Sequence, residues 1–220
     1  MLKINDSHNF RRTAAGLCLI AGPLVTLIGG LVTPWEKKET TAAYLLALAE
    51  NPTQAQISAV LLYFGFLLTA VGIFGIIHLL RHRAVVLGHI AGVLAVWGWV
   101  TLPGLLVSDF YDLSLAQWSN RQDAIAISER AGGYIGSAVI GIPALLGFIG
   151  LVLLGVALWR AKLAPLWMPV VVLAGTVITQ FGPPGAGSWA LGTGLLLASL
   201  GYVGLRILRM TDDEWERGVG

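Results

Sequence analysis

Residues 57–83 read ISAVLLYFGFLLTAVGIFGIIHLLRHR, and this stretch decides the fold. From Ile57 to Leu80 it holds no Asp, Glu, Lys or Arg, and it stops on Arg81-His82-Arg83. About 20 mostly apolar residues in an α-helix cross a hydrocarbon core of roughly 30 Å. A backbone exposed to lipid has no water to bond, so it satisfies its own N–H and C=O groups as a helix. The stretch therefore reads as a transmembrane helix closed by a basic stop.

The same unit repeats in both directions. Basic pulses fall at Lys3/Arg11/Arg12, Arg81/Arg83, Arg160/Lys162 and Arg206/Arg209/Arg217, with apolar sequence between them. Spans are expected near 13–33, 57–80, 84–107, 134–159, 164–181 and 188–208. The chain is 56% hydrophobic and 12% charged, with a mean hydropathy of +0.77, more apolar than a soluble core needs. The expected fold is all-α: a polytopic bundle of six transmembrane helices over 13–208, flanked by cytoplasmic segments 1–12 and 209–220.

Lysine and arginine near span ends stay on the cytoplasmic side. With six spans both termini lie inside, and the molecule is a multi-pass protein of the cell membrane. The outer connections then carry Lys37, Lys38, Arg121 and Arg130 against Glu36, Glu39, Glu50, Asp109, Asp112, Asp123 and Glu129. The net charge of +2 and pI near 8.9 thus report topology. With no basic stripe and no interleaved aromatics, nucleic acid is not an expected partner. The first apolar run is too long for a cleaved signal and reads as an anchor. Cys18, the single cysteine, excludes an intramolecular disulfide and is expected only to pack. No phosphate-cradling or nucleotide motif is present, so no cofactor is expected.

The inner turns are short, and the two outer loops are long. The first, Pro34 to Gln56, carries Ala42-Ala43-Tyr44-Leu45-Leu46 before Asn51-Pro52, the pattern of a short surface helix. The second, Ser108 to Gly133, places apolar residues at Leu113, Leu115, Trp118, Ile125 and Ile127, which predicts a second surface helix or lid with Ser119/Asn120 as a cap. Small-xxx-small pairs at Gly88/Gly92, Gly132/Gly136, Ser137/Gly141 and Gly194/Ala198 mark expected helix contacts. Pro23, Pro103, Pro143 and Pro169 are expected to kink or end their helices.

Polar groups near the outer ends supply the candidate chemistry. Asp109 and Asp112 are three apart and share a helical face if the third span reaches them. Such a pair can share a proton, hold a cation, or donate a proton from a dry pocket. Glu36, after Trp35, can face the same mouth. Each of these acids also fits a solvated interface. Trp97 and Trp99 lie deep in the third span; with Tyr63 and Tyr111 they can shape a ligand pocket through their π faces or simply pack. The other tryptophans suit interfacial anchoring, Trp35, Trp118 and Trp189 outside and Trp159, Trp167 and Trp215 inside. His78 and His82 have i, i+4 metal spacing but flank Arg81 at the interface, where headgroup contact is the better reading, so no metal site is assigned. His89 lies about 9 Å beyond Arg83, where an ionisable group faces protein or water, or bonds a neighbouring carbonyl. Thr176, Thr179 and Gln180 are expected to hydrogen-bond across helices.

The segments Arg11-Arg12-Thr13-Ala14-Ala15-Gly16-Leu17, Thr41-Ala42-Ala43-Tyr44-Leu45 with Asn51-Pro52, and Gly155-Val156-Ala157-Leu158-Trp159-Arg160-Ala161 resemble uncharacterised actinobacterial multi-span membrane proteins. This resemblance implies topology and no activity. In size and in acids near helix ends the chain is more loosely similar to the membrane-bound terpene cyclases, which implies protonation of an isoprenoid or its epoxide. Glu36 and Asp109 as donors are a chemical assignment and not one carried by aligned motifs. The leading functional expectation is a membrane module that binds a lipophilic small molecule or serves as a subunit of an assembly with a membrane protein partner. The enzymatic alternative requires Asp109, Glu36 and the tryptophans to converge on one cavity. Secondary transport would require an ionisable cluster near midplane.

Overall fold

The computed structural model describes residues 7–36 and 38–218; Lys3 and Lys37 lie outside the described residues. These residues form nine helices and no strands: α1 (Ser7–Val32), α2 (Thr41–Glu50), α3 (Pro52–Leu80), α4 (Val85–Ala116), α5 (Arg121–Gly132), α6 (Ile135–Arg160), α7 (Trp167–Phe181), α8 (Ala186–Arg209) and α9 (Asp212–Arg217). Five of them, α1, α3, α4, α6 and α8, are long and apolar enough to cross a membrane. The segment expected to span 164–181 forms only the 15-residue α7, about 22 Å long. Proline bounds it on both sides. Pro165 biases the chain before it away from helix, and Pro183-Pro184 cannot continue one.

The second outer loop is the main correction. Nothing after Pro103 breaks the helix, so α4 continues past Val107 to Ala116, about 48 Å in all. Ser108 to Leu115 is its last two turns, not a loop, and the surface helix begins only at Arg121. Asn120 caps that helix, α5, by accepting from the backbone N–H groups of Gln122 at 3.1 Å and Asp123 at 3.4 Å. Asn120→Ala is expected to cost α5 about 1 kcal/mol. Amide exchange should speed up over 121–132 while global unfolding stays unchanged. The first loop folds as read: Thr40 caps α2, and Pro52 occupies the first turn of α3, where its missing N–H costs nothing.

α1 packs between α3 and α8, α4 packs between α3 and α6, and α7 lies on α8 and α6. Lipid offers no hydrophobic drive for helices to associate, so close backbone approach carries the packing. At the antiparallel α1/α3 crossing, Gly22 meets Thr69 and Gly65 meets Thr26; a Cβ on either glycine would come 2.4 Å from the opposing hydroxyl. Each threonine turns its hydroxyl onto the carbonyl four residues back, Thr26 to Gly22 at 3.0 Å and Thr69 to Gly65 at 2.9 Å. Two Gly-x-x-x-Thr units thus interlock reciprocally. At α4/α6, Gly98 sits directly on Gly147.

Of the small-residue pairs expected from sequence, Gly88/Gly92 packs against Leu80 and Ile77 of α3. Gly132, Gly136, Gly141 and Gly194 have nothing within 4 Å of a built Cβ, so the other three pairs are not contacts within the chain. Pro23, Pro103 and Pro143 lie inside continuous helices that they do not end, and Pro169 falls in the first turn of α7. Thr179 bonds its own Gly175 carbonyl rather than a neighbouring helix, and the buried Thr176 hydroxyl has no partner among the described residues.

At the end of the bundle where both described chain ends meet, the basic pulses become caps. Arg12 forks onto the α8 carbonyls of Leu208 at 3.1 Å and Ile207 at 3.5 Å, and onto Met210, while pairing with Asp212 at 2.9 Å. Arg81 reaches the Trp215 and Glu216 carbonyls, Arg83 the Ala161 carbonyl at 3.1 Å, and Arg206 the Leu163 carbonyl. Helix ends leave acceptors unpaired, and these arginines satisfy them across turns. The segment expected as a cytoplasmic tail is folded through 212–217: Thr211 and Glu214 form a capping box that holds the Glu214 carboxyl below its ordinary range. Trp215, expected at the interface, is instead 2% exposed and part of the core.

Candidate functional site

The end of α4 away from the arginine-rich end is roofed by α2 and α5. Leu45 and Leu48 of α2, Ala55 of α3, Leu113 of α4 and Ala124 of α5 bury one another in a cluster separate from the main core. That clamp sets Tyr44 over the acidic face of α4. Asp112 accepts a hydrogen bond from Ser128 of α5 at 3.5 Å, and the Tyr44 phenol lies near it. Burial, and then the charges of Asp109, Asp112 and Glu36, push the Tyr44 phenol above its ordinary range. It therefore stays a hydroxyl donor at every physiological pH.

Glu36 and Asp109 share one cleft of about 230 Å³, with Trp35, Tyr44, Ser58 and Leu62 in its walls. Both carboxylates are half-buried. Thr33 and Ser58 hydroxyls bond each other at 2.6 Å beside them. Asp112 is not in the walls of the cleft but stands one turn further along α4, held by Ser128.

The aromatic candidates divide. Trp99 is 3% exposed and packs edge-on to Phe66, centroids 5.4 Å apart, and tilted against Phe148 at 5.8 Å. These three rings, with Trp189, Thr193 and Gln180, line a second cavity of about 290 Å³ at the centre of the bundle, walled by α1, α3, α4, α6, α7 and α8. Trp97, two residues away on the opposite face of α4, is 54% exposed. Tyr111 is 71% exposed, and Tyr63 lies in a shallow groove with Val107 and Phe110. His89 is exposed on the outer surface of α4 and bonds its own Val85 carbonyl at 2.6 Å. Trp97, Tyr63, Tyr111 and His89 therefore do not join the carboxylates, because a 100° turn per residue sends them to other faces of α3 and α4, Tyr63 into the groove beside Val107 and Phe110 and the other three to exposed surface.

The central cavity was largely illegible in the sequence. Phe66, Phe148 and Thr193 read as ordinary span residues, and Trp189 as an interfacial anchor. Instead Trp189 turns inward and donates its indole N–H to the Thr26 carbonyl at 3.2 Å. Two polar atoms in the cavity wall, Trp99 Nε1 and Thr193 Oγ1, are buried without a hydrogen-bond partner among the described residues. Thr193 is only 2% exposed. Trp35, in the wall of the Glu36/Asp109 cleft, and Trp189, in the wall of the cavity, stand between the two spaces with ring centroids 5.8 Å apart at 48°. No protein-family model, curated protein or solved structure matches the chain.

Proposed function

We propose that the chain is a multi-pass cell-membrane protein with six crossings and both ends cytoplasmic, and that it holds a lipophilic small molecule in its central cavity. Six crossings are supported by the inner ends of α6 and α8 meeting where Arg206 reaches Leu163. α7 with the 182–185 turn then has to carry the chain back to the outer end. The orientation is supported by the arginine-rich end.

The observation that carries the ligand reading is the pair of orphaned buried groups, Trp99 Nε1 and Thr193 Oγ1, in the wall of a mostly apolar, aromatic-lined cavity. An unpaired buried donor costs about 1–3 kcal/mol, and a ligand carrying an acceptor removes that cost. The volume is near the lower end of the roughly 300–1,000 Å³ range of small-molecule sites. Three rings give the apolar body of such a ligand a rigid wall.

Protein extracted in mild detergent and weighed by native mass spectrometry should carry a lipophilic species. A Trp99→Phe/Thr193→Val double variant should retain it at least about tenfold less, the effect of losing hydrogen bonds worth roughly 1.4 kcal/mol. A bare wild-type protein, or equal retention by the variant, overturns the reading. A stoichiometric protein partner in place of a small molecule would favour a subunit of an assembly.

One observation favours a second reading, proton-initiated isoprenoid chemistry: Glu36 and Asp109 line one cleft beside Tyr44. It is the weaker reading, because the aromatic wall that would stabilise a cation lies in the other cavity, behind Trp35 and Trp189.

A further inference from the structure

A further cleft, about 360 Å³, is neither of those two. It opens at the arginine-rich end between α1, α3 and α9. Its apolar sides are Phe10 and Ala14 of α1 and Val71 and Phe74 of α3; Phe10, Val71 and Phe74 are 49%, 48% and 57% exposed, so the slot is open along its length. Arg11, His78 and Trp215 make its polar end.

The charges around that end are almost fully committed. Arg12 pairs with Asp212 at 2.9 Å. Glu216 is bonded by His8 at 2.7 Å, which holds its carboxyl below the ordinary range, and it lies 3.7 Å from Arg81. His78 stacks on Trp215 with centroids 4.5 Å apart and 24° between planes; its Nε2 is 3.9 Å from Glu216 and makes no hydrogen bond. Three arginines thus face two carboxylates, and Arg11 makes no ion pair or hydrogen bond among the described residues. The Trp215 indole N–H, on a side chain 2% exposed, likewise has no acceptor among them.

An apolar slot that ends in an uncompensated guanidinium and an unpaired indole donor fits one occupant. We infer that this cleft binds an anionic phospholipid, one acyl chain lying along Val71 and Phe74 and the phosphate received by Arg11 and the Trp215 N–H. Guanidinium presents paired donors to phosphate oxygens, and indole supplies a single donor at the interface. The requirement for an acyl chain excludes free phosphate as the ligand.

The test uses the full chain in nanodiscs of equimolar phosphatidylglycerol and phosphatidylcholine, with retained lipid read by native mass spectrometry. Retained phosphatidylglycerol should exceed phosphatidylcholine by about fivefold, the scale set by one basic residue at a membrane surface. Arg11→Gln, at an exposed and unpaired side chain, should bring the ratio near one without changing thermal unfolding, and Trp215→Phe, which keeps an aromatic ring and removes the donor, should lower it as well. Thr193→Val in the central cavity should leave the ratio unchanged, which separates this site from the small-molecule reading. Equal retention of the two lipids, an Arg11→Gln ratio equal to wild type, or stripping of the lipid by millimolar inorganic phosphate would each overturn the inference.

Discussion

Gly98→Ala is expected to destabilise the bundle by about 2–3 kcal/mol, whereas Gly104→Ala on the same helix should be neutral or slightly stabilising. A Cβ at Gly98 would stand 2.3 Å from Gly147 Cα and 2.6 Å from the Pro143 carbonyl oxygen. Both are backbone atoms, so no flexible side chain can give way, and α4 and α6 have to separate. Overpacking of this kind costs about 1–3 kcal/mol in ordinary cores. Here the helices are held by close contact rather than by hydrophobic expulsion, so separation loses the contact itself. The N-terminal half of α6 cannot compensate, because Ile135, Val139, Ile140 and Ile142 are already 52–83% exposed. At Gly104 a Cβ meets nothing within 4 Å, and alanine gains up to about 1 kcal/mol in helix propensity. Unfolding of the two variants in mixed micelles by denaturing detergent decides the matter; equal midpoints would mean that the Gly98–Gly147 contact does not hold the helices.

The second large effect is expected at Arg12. Its side chain is 12% exposed and meets four acceptors, the Asp212 carboxylate and the carbonyls of Ile207, Leu208 and Met210. Arg12→Ala leaves the last turn of α8 without a cap and Asp212 without its partner, a loss on the order of 3 kcal/mol. Arg12→Lys keeps the charge but not the planar fork, and should recover the smaller part of it. Because Arg12 joins α1, α8 and α9, the loss should appear first as rapid amide exchange over 212–217, with the Trp215 indole becoming accessible to a fluorescence quencher. A cost below about 0.5 kcal/mol would place Arg12 among ordinary surface ion pairs.

The parts of the site that could be read from sequence are those set by local chemistry. The cap at Asn120, the helix between Thr40 and Asn51-Pro52, and the common face of Asp109 and Asp112 all depend on residues within a few positions of each other. The gathering of Glu36 with Asp109 was legible only as two acids near one end of the spans; the cleft exists because Leu45, Leu48, Leu113 and Ala124, from three elements, bury one another. The pairing of Trp99 with Phe66 and Phe148 had no local signal. Trp97 and Trp99 are equally apolar neighbours in the chain, and only the rotation of α4 against α6 buries one and exposes the other.

The sequence by itself determined that this protein is a set of apolar helices punctuated by arginine, because the length of a charge-free run and the cost of an unpaired backbone in lipid leave no other structure. The arginines then did something that spacing cannot express: they cap carbonyls on other helices and draw α9 and Trp215 into the core. Which glycines touch was likewise decided in three dimensions, since Gly22 with Thr69 and Gly98 with Gly147 are distant in sequence and meet only when two helices choose a crossing. In lipid the apolar pattern is nearly uniform around each helix and names no inward face. Close backbone approach chooses that face, and the central cavity and the clefts at the two ends of the bundle are what the choice leaves unfilled.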